Sequence, residues 1–325
     1  MIMGNIDLYV AIIQGTIRTS VPLILTALAG LYAERSGVVD IGLEGKLLAG
    51  AFAGASAAAF TGSATLGVLA AILCAVAFSA VHGYASISQR GDQIVSGTAI
   101  NFIAFGATVI IGQAWFNMAG RTPSLGPGAK LETITLPFAE ALANVPVLGV
   151  LYSRILSGHH LLTYCAYALI PITWWVLYRT RFGLRLRAVG ENPGAVDTAG
   201  ISVIKLRYQA VLLGGVFVGL AGAFMSMAVS AGFTKGMSAG KGYIALAALV
   251  FANWKPKNIL FTCLLFGFLD SLSIAFQGKE IPLIGSIPVQ VWTALPYVLT
   301  VVLLAGFIGK ATPPKSSGTP YVKER

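Results

Sequence analysis

The stretch ERSGVVDIGLEG, Glu34–Gly45, interrupts an apolar tract that otherwise runs from Ile6 to Phe60. It sets Glu34, Arg35, Asp40 and Glu44 between two lipid-compatible segments, with Gly37, Gly42 and Gly45 weakening any helix there. Two readings fit: a wet turn at a membrane surface, or a broken helix inside a transport path. The rest of the chain supplies the context. Its 325 residues are 56% hydrophobic and 10% charged, with a mean hydropathy of +0.79, whereas a soluble domain carries about 25% charged residues. The chain reads as an all-α polytopic membrane protein.

Apolar runs predict about nine transmembrane helices (8–10), near 20–33, 45–60, 64–88, 93–117, 159–178, 208–230, 243–253, 259–276 and 289–309. Ile6–Arg18 is either an interfacial lead-in or an extension of the first span. The first two spans read as short, covering only about 21 and 24 Å at 1.5 Å per residue against roughly 30 Å of hydrocarbon. The segment between them is therefore expected at membrane depth. A second Gly-rich segment, GFTKGMSAGKG (Gly232–Gly242), precedes the short run Tyr243–Asn253 from the opposite side. Short, Gly-interrupted segments in both halves point to broken helices, inverted repeats and a central binding site. Gly50/Gly54 and Gly215/Gly219 have the spacing that lets helices approach closely in lipid.

The net charge of +10 does not indicate nucleic acid, because the basic residues follow membrane topology. Arg179, Arg181, Arg185, Arg187, Lys205 and Arg207 flank one loop. Lys255 and Lys257 mark another, and Lys310, Lys315, Lys323 and Arg325 mark the tail. By the positive-inside rule these segments are cytoplasmic, and the N-terminus falls outside. The expected organisation is a transmembrane domain over 1–309, containing a basic cytoplasmic loop over 179–207, and a disordered cytoplasmic tail over 310–325. No basic n-region precedes Arg18, so no cleavable signal peptide is expected.

Enzyme chemistry finds little support. GMSAGKG is one residue too short between its glycines for a phosphate loop and has Gly242 where Ser or Thr belongs. No Cys, His or carboxylate cluster has metal-ligand spacing, so no catalytic residue, metal or cofactor is expected. Cys74, Cys165 and Cys263 lie in apolar segments. Asp270 lies inside an apolar span, where an unpaired carboxylate costs about 3 kcal/mol or more; it faces a cavity or a neighbouring helix. Asn101 hydrogen-bonds either a polar solute or another helix. Asp92 and Arg90 read as a surface ion pair.

The basic loop carries the most specific local signal. In ENPGAVDTAG, Asn192 fits an N-cap, Pro193 the first helical position and Gly200 a C-terminal stop. The enclosed helix of about two turns, Pro193–Ala199, is too short to stand alone. It needs something to pack against, or else lies as a connector on lipid headgroups.

ERSGVVDIGLEG followed by KLLAGAF resembles the signature of ATP-binding-cassette importer permeases of the branched-chain amino acid/ribose-type superfamily. It is most similar to the shorter permease of nucleoside-type, basic membrane protein-associated uptake systems. The resemblance continues through QIVSGTAINFIAFG, LRLRAVGENPGAVDTAGISV and GFLDSLSIAFQG, over roughly Thr19–Ile308. One departure stands out: Asp40 occupies a position where the family usually has Asn.

The resemblance implies a permease subunit in a bacterial cytoplasmic (inner) membrane, carrying a nucleoside, a purine-type compound or a sugar. It implies that Asn192, Pro193, Gly194, Ala195, Val196, Asp197, Thr198, Ala199 and Gly200 form the coupling helix that docks in the ATPase subunit. The implied partners are that ATPase, a second permease (commonly a longer paralogue), an extracytoplasmic solute-binding protein or lipoprotein, and membrane lipid. Glu34, Arg35, Gly37, Asp40, Gly42, Glu44 and Gly45 are then the broken-helix entrance to the second span. Within it, Asp40 and Glu44 are expected to hold the turn, and Asn101 and Asp270 are candidates for the solute path. The alternative is an ion-coupled secondary transporter with Asp270 or Glu44 as its cation site; such a carrier has no use for a docking helix.

Overall fold

The computed structural model describes residues 2–142, 145, 149–277, 280–281, 285–286, 288–302 and 311–323. In chain order its helices are α1 (Ile2–Arg35), α2 (Leu43–Thr61), α3 (Ala64–Gly83), α4 (Gln93–Phe116), α5 (Ala139–Leu142) and α6 (Leu161–Arg179). They continue with α7 (Arg181–Glu191), α8 (Pro193–Thr198), α9 (Val203–Ala223), α10 (Lys241–Phe251), α11 (Pro256–Phe276) and α12 (Val289–Val302). Beyond these, the described residues hold π-helical turns at Tyr84–Ser88, Gly149–Leu156 and Phe224–Val229, and two-residue strand pairs, Thr133–Ile134 with His159–His160 and Glu280–Ile281 with Gly285–Ser286. The architecture is all-α and suits a bilayer, where helices satisfy their own backbone groups.

Nine spans are not shown. Six helical segments among the described residues are long and apolar enough to cross a membrane: Asp7–Arg35, Ala64–Ser88, Gln93–Phe116, Leu161–Arg179, Val203–Val229 and Pro256–Phe276. The α10 and α12 segments are shorter apolar helices. The last expected span runs to 309, of which 303–309 lies outside the described residues, as do Lys310 and Arg325.

The expectation of a short first span fails. Ile6–Arg18 belongs to one helix of 34 residues that continues through Pro22 to Arg35. The α2 helix, by contrast, does start late, at Leu43.

Helices α1 and α9 form the centre. Val21–Ala33 of α1 is almost wholly buried, and 78% of the apolar window of α9 is buried. Close packing there depends on glycine. A Cβ on Gly219 would lie 2.5 Å from Ile72 Cα, and one on Gly222 would lie 2.5 Å from the Ala51 nitrogen. Gly50 meets Gly219, so the glycine spacing noted in the sequence serves the α2–α3–α9 contact. Hydroxyls join α1 to α11: Thr19 donates to the Gly267 carbonyl at 2.8 Å and Ser271 to the Ile12 carbonyl at 2.8 Å. The outer faces of α3 and α4 leave Leu73, Phe102 and Ile110 exposed, as faces turned to lipid or to another subunit do.

Two further expectations change. Asp92 caps α4, accepting from the Ile94 and Val95 amides at 2.8 and 3.0 Å, rather than pairing with Arg90. The tail does not hang free over its described part. Residues 311–323 lie against the body, and Ser316 is buried. Disorder was expected because the segment has few apolar side chains; its contacts include backbone amides, the Ser316 hydroxyl and the Tyr321 ring.

Candidate functional site

The Glu34–Gly45 stretch is a buried turn between α1 and α2. Glu34, Ser36, Val38 and Asp40 are all buried, so the wet interfacial turn is excluded. Helix α1 stops because Gly37 adopts φ +86°, a conformation glycine reaches without steric cost. A charged group at this depth is stable only when paired or hydrogen-bonded, and here each one finds its partner within the protein. Asp40 forms an ion pair with Lys46, which is wholly buried in the first turns of α2. His82 reaches this pair from α3. Its Nε2 lies 3.9 Å from an Asp40 oxygen and 3.1 Å from the Val39 carbonyl, and its Nδ1 lies 3.1 Å from the Ser96 hydroxyl.

Glu34 and Arg35 serve the other half of the chain. The Trp254 indole N–H donates to Glu34 at 2.5 Å, and Arg35 Nη2 donates to the Trp254 carbonyl at 2.7 Å. Asn253 and Trp254 both take positive φ, +50° and +51°, in the tight turn between α10 and α11.

About 16 Å along α10 from that turn, at 1.5 Å per residue over its eleven residues, the second Gly-rich segment meets the first. One Glu44 oxygen accepts from the Gly240 amide at 2.9 Å and the other from the Gly242 amide at 2.7 Å. These are orphan donors at the start of α10, and the negative charge suits the helix N-terminus. The fit is close, since a Cβ on Gly242 would lie 2.6 Å from Glu44 Cα. The two Gly-rich segments noted in the sequence therefore meet, a carboxylate from one capping the helix that the other leads into.

Asn101 fastens α4 to the same junction. Its Oδ1 accepts from the Gly45 amide at 2.7 Å, and its Nδ2 donates to the Ile41 carbonyl at 3.1 Å and the Tyr243 hydroxyl at 2.9 Å. Gly42 is pressed against Gly97 of α4, where a Cβ on Gly97 would lie 2.7 Å from the Gly42 nitrogen. Asp270 on α11 pairs with Lys241 at 2.6 Å, both about one-fifth exposed. Neither Glu44 nor Asp270 is therefore an unengaged carboxylate waiting for a cation.

A cavity of about 400 Å³ opens beside the junction, walled by Glu44, Asn101, Ser238 and the rings of Phe102, Phe105 and Tyr243. Lys235 Nζ stands 5.4 Å from the centre of the Phe105 ring. No cluster of three or more potential metal ligands occurs among the described residues. The cysteines are unpaired; Cys263 is buried and Cys165 is exposed on α6.

At the basic end of the molecule, the short helix appears where its capping residues place it. The Asn192 side chain accepts from the Ala195 amide at 3.1 Å, Pro193 opens α8, and Gly200 at φ +77° follows its end. Val196 turns inward onto Val189, Val203 and Leu206, while Gly194, Ala195, Thr198 and Ala199 face outward.

Sequence reasoning missed Lys46, His82, Lys241 and Trp254. Lys46 carried a usable signal, a lysine inside an apolar helix close behind a lone aspartate. Trp254 carried none, since it lies 220 residues from its partner.

The chain matches the family described as branched-chain amino acid transport system/permease component over residues 12–304. It is 41% identical to the guanosine ABC transporter permease protein NupQ of Bacillus subtilis, with 99% of each chain covered. It is 37% identical to the nucleoside ABC transporter permease protein NupC of Lactococcus lactis, covering 99% of this chain and 100% of that one. A putative glucose ABC transporter permease protein, TsgC13 of Haloferax volcanii, is 33% identical over 90% of each. With these relatives the ion-coupled carrier falls away: the chain belongs to the branched-chain amino acid transport system/permease component family, a multi-pass membrane subunit of an ATP-binding-cassette importer and not an enzyme.

Proposed function

We propose that this subunit carries nucleosides, purine nucleosides foremost, inward across the cytoplasmic membrane of a bacterium. Its N-terminus lies outside and its basic end faces the cytoplasm. The observation that carries the reading is the cavity wall. Phe102, Phe105 and Tyr243 offer π-faces for a planar base, and Asn101 and Ser238 stand on the polar side. Aromatic stacking is worth about 1–3 kcal/mol per base, which favours a base over a sugar lacking one. Two of these relatives, a guanosine and a nucleoside permease by name, support the same solute class.

In this reading α8 docks in the ATPase subunit, whose closure drives the spans. The exposed face of α4 meets a second permease, and an extracytoplasmic binding protein delivers the solute. The turn residues Asp40 and Glu44 hold the junction without touching the solute, and Asp270 acts through Lys241 at the start of α10. The paired names of NupQ and NupP, both guanosine permeases of one organism, support two unlike permeases in one transporter.

The test is uptake of labelled guanosine by cells carrying the chain with its partners, competed by unlabelled adenosine, inosine, uridine or glucose. Nucleosides compete and glucose does not. Competition by glucose alone moves the solute to the sugar class.

A further inference from the structure

The described part of the tail touches three separate places in the fold. The Thr312 amide donates to Asn253 Oδ1 at 3.1 Å, in the α10–α11 turn. The Ser316 amide and hydroxyl both donate to the Gly190 carbonyl, at 2.9 and 2.8 Å, at the end of α7. The Gly318 amide donates to the Gly37 carbonyl at 3.2 Å, within the α1–α2 turn. The chain then runs on to α8, where Tyr321 packs against the cluster of Val189, Val196, Val203 and Leu206, and Lys323 Nζ lies 3.9 Å from Asp197.

Arg207 on α9 joins these contacts. It is 1% exposed, and burying a guanidinium is costly unless its N–H groups are engaged. Its Nε donates to the Ser36 carbonyl and its Nη1 to the Thr319 carbonyl, each at 3.1 Å. One buried cation therefore ties the turn to the tail. The seat accepts only glycine in the turn: a Cβ on Gly37 would lie 2.5 Å from the Ser316 hydroxyl and 2.9 Å from Arg207 Nη2. The tail thus hydrogen-bonds to the α10–α11 turn, the end of α7, the α1–α2 turn and Arg207.

We propose that residues 311–323, with Arg207, form a positioning strap that ties α8 to the Ser36–Gly42 turn. Displacement of α8 passes through the strap to the turn, and from the turn to Glu44 and the start of α10. The proposal rests on the reading of α8 as the ATPase-docking helix, and it adds a residue set that reading does not contain.

The test uses the whole transporter, reconstituted with its ATPase, partner permease and binding protein. One variant ends the chain after Thr312; the other, Gly318→Val, forces a β-branched residue into φ +77°. Hydrogen exchange over residues 36–42 and 193–199 reads the strap, and uptake per ATP hydrolysed reads the relay. Both variants are expected to speed exchange in both segments and to lower uptake per ATP, by about tenfold for the truncation. Unchanged exchange over 36–42 in both variants overturns the strap, and faster exchange with unchanged uptake per ATP overturns the relay. Should the truncated chain fail to accumulate, Gly318→Val decides alone. A separate Gly194→Trp variant that leaves uptake intact defeats the docking reading, and the exchange result still reports on the strap.

Discussion

Removing the Glu44 carboxylate is the most direct challenge to the junction between the two halves. In Glu44→Ala, the Gly240 and Gly242 amides, now held at 2.9 and 2.7 Å, lose their acceptor. Hydrogen bonds to a charged group contribute about 1.5–3 kcal/mol each, so two of them set a loss of about 3–6 kcal/mol. Glu44 is partly exposed toward the cavity, and water reaching the freed amides moves the expectation to the lower end. Glu44→Gln keeps one acceptor oxygen but turns an NH2 toward the second amide, for a loss of about 2–3 kcal/mol. Two assays on purified transporter separate these outcomes: thermal unfolding, and hydrogen exchange at the amides of residues 240–243. The exchange rates are expected to rank Ala above Gln above the parent, with faster exchange confined at first to the start of α10. Equal protection at 240–243 in all three proteins would refute the capping argument, whatever happened to uptake.

Three further perturbations test other parts of the site. Asp40→Asn strands the buried Lys46 charge and is expected to cost about 3–5 kcal/mol, read as lost membrane abundance or a lower Tm. Asp40→Asn/Lys46→Met is expected to recover most of that loss. Gly219→Val drives a side chain into Ile72, where even a Cβ has only 2.5 Å, and overpacking of this kind costs about 1–3 kcal/mol. Thermal unfolding measures it. Asp197→Lys on α8 is expected to leave the chain in the membrane with ATP hydrolysis intact and uptake reduced, measured as solute carried per ATP; undiminished uptake would oppose the docking assignment.

The parts of this molecule that sequence discloses are those governed by local chemistry. Asn192, Pro193 and Gly200 bounded α8 within a residue of its observed end, because a cap, a fixed φ and a left-handed stop act on adjacent residues. Fold class followed from composition, since few soluble chains are so poor in charge. The unusual turn was visible as well, though its glycines and charges left a surface turn and a broken helix both open until its burial was seen. What stayed hidden depends on distance along the chain. Glu44 and Gly242 are 198 positions apart, and Glu34 and Trp254 are 220 apart. For Ile6–Arg18, left open as a lead-in or an extension, the structure shows the extension, a single helix that runs on through Pro22; neighbouring helices let a membrane helix tolerate such a residue.

The ion pairs of the junction have an electrical consequence. Asp40 with Lys46 and Asp270 with Lys241 each sum to zero, and Glu44 sits against the partial positive end of α10. A movement of the two ion pairs as units therefore transfers no net charge through the bilayer. The membrane potential, worth about 2.3 kcal/mol per elementary charge per 100 mV, gains almost no purchase on it. Neutral pairs of this kind let charged side chains sit at membrane depth without making their movement a voltage sensor.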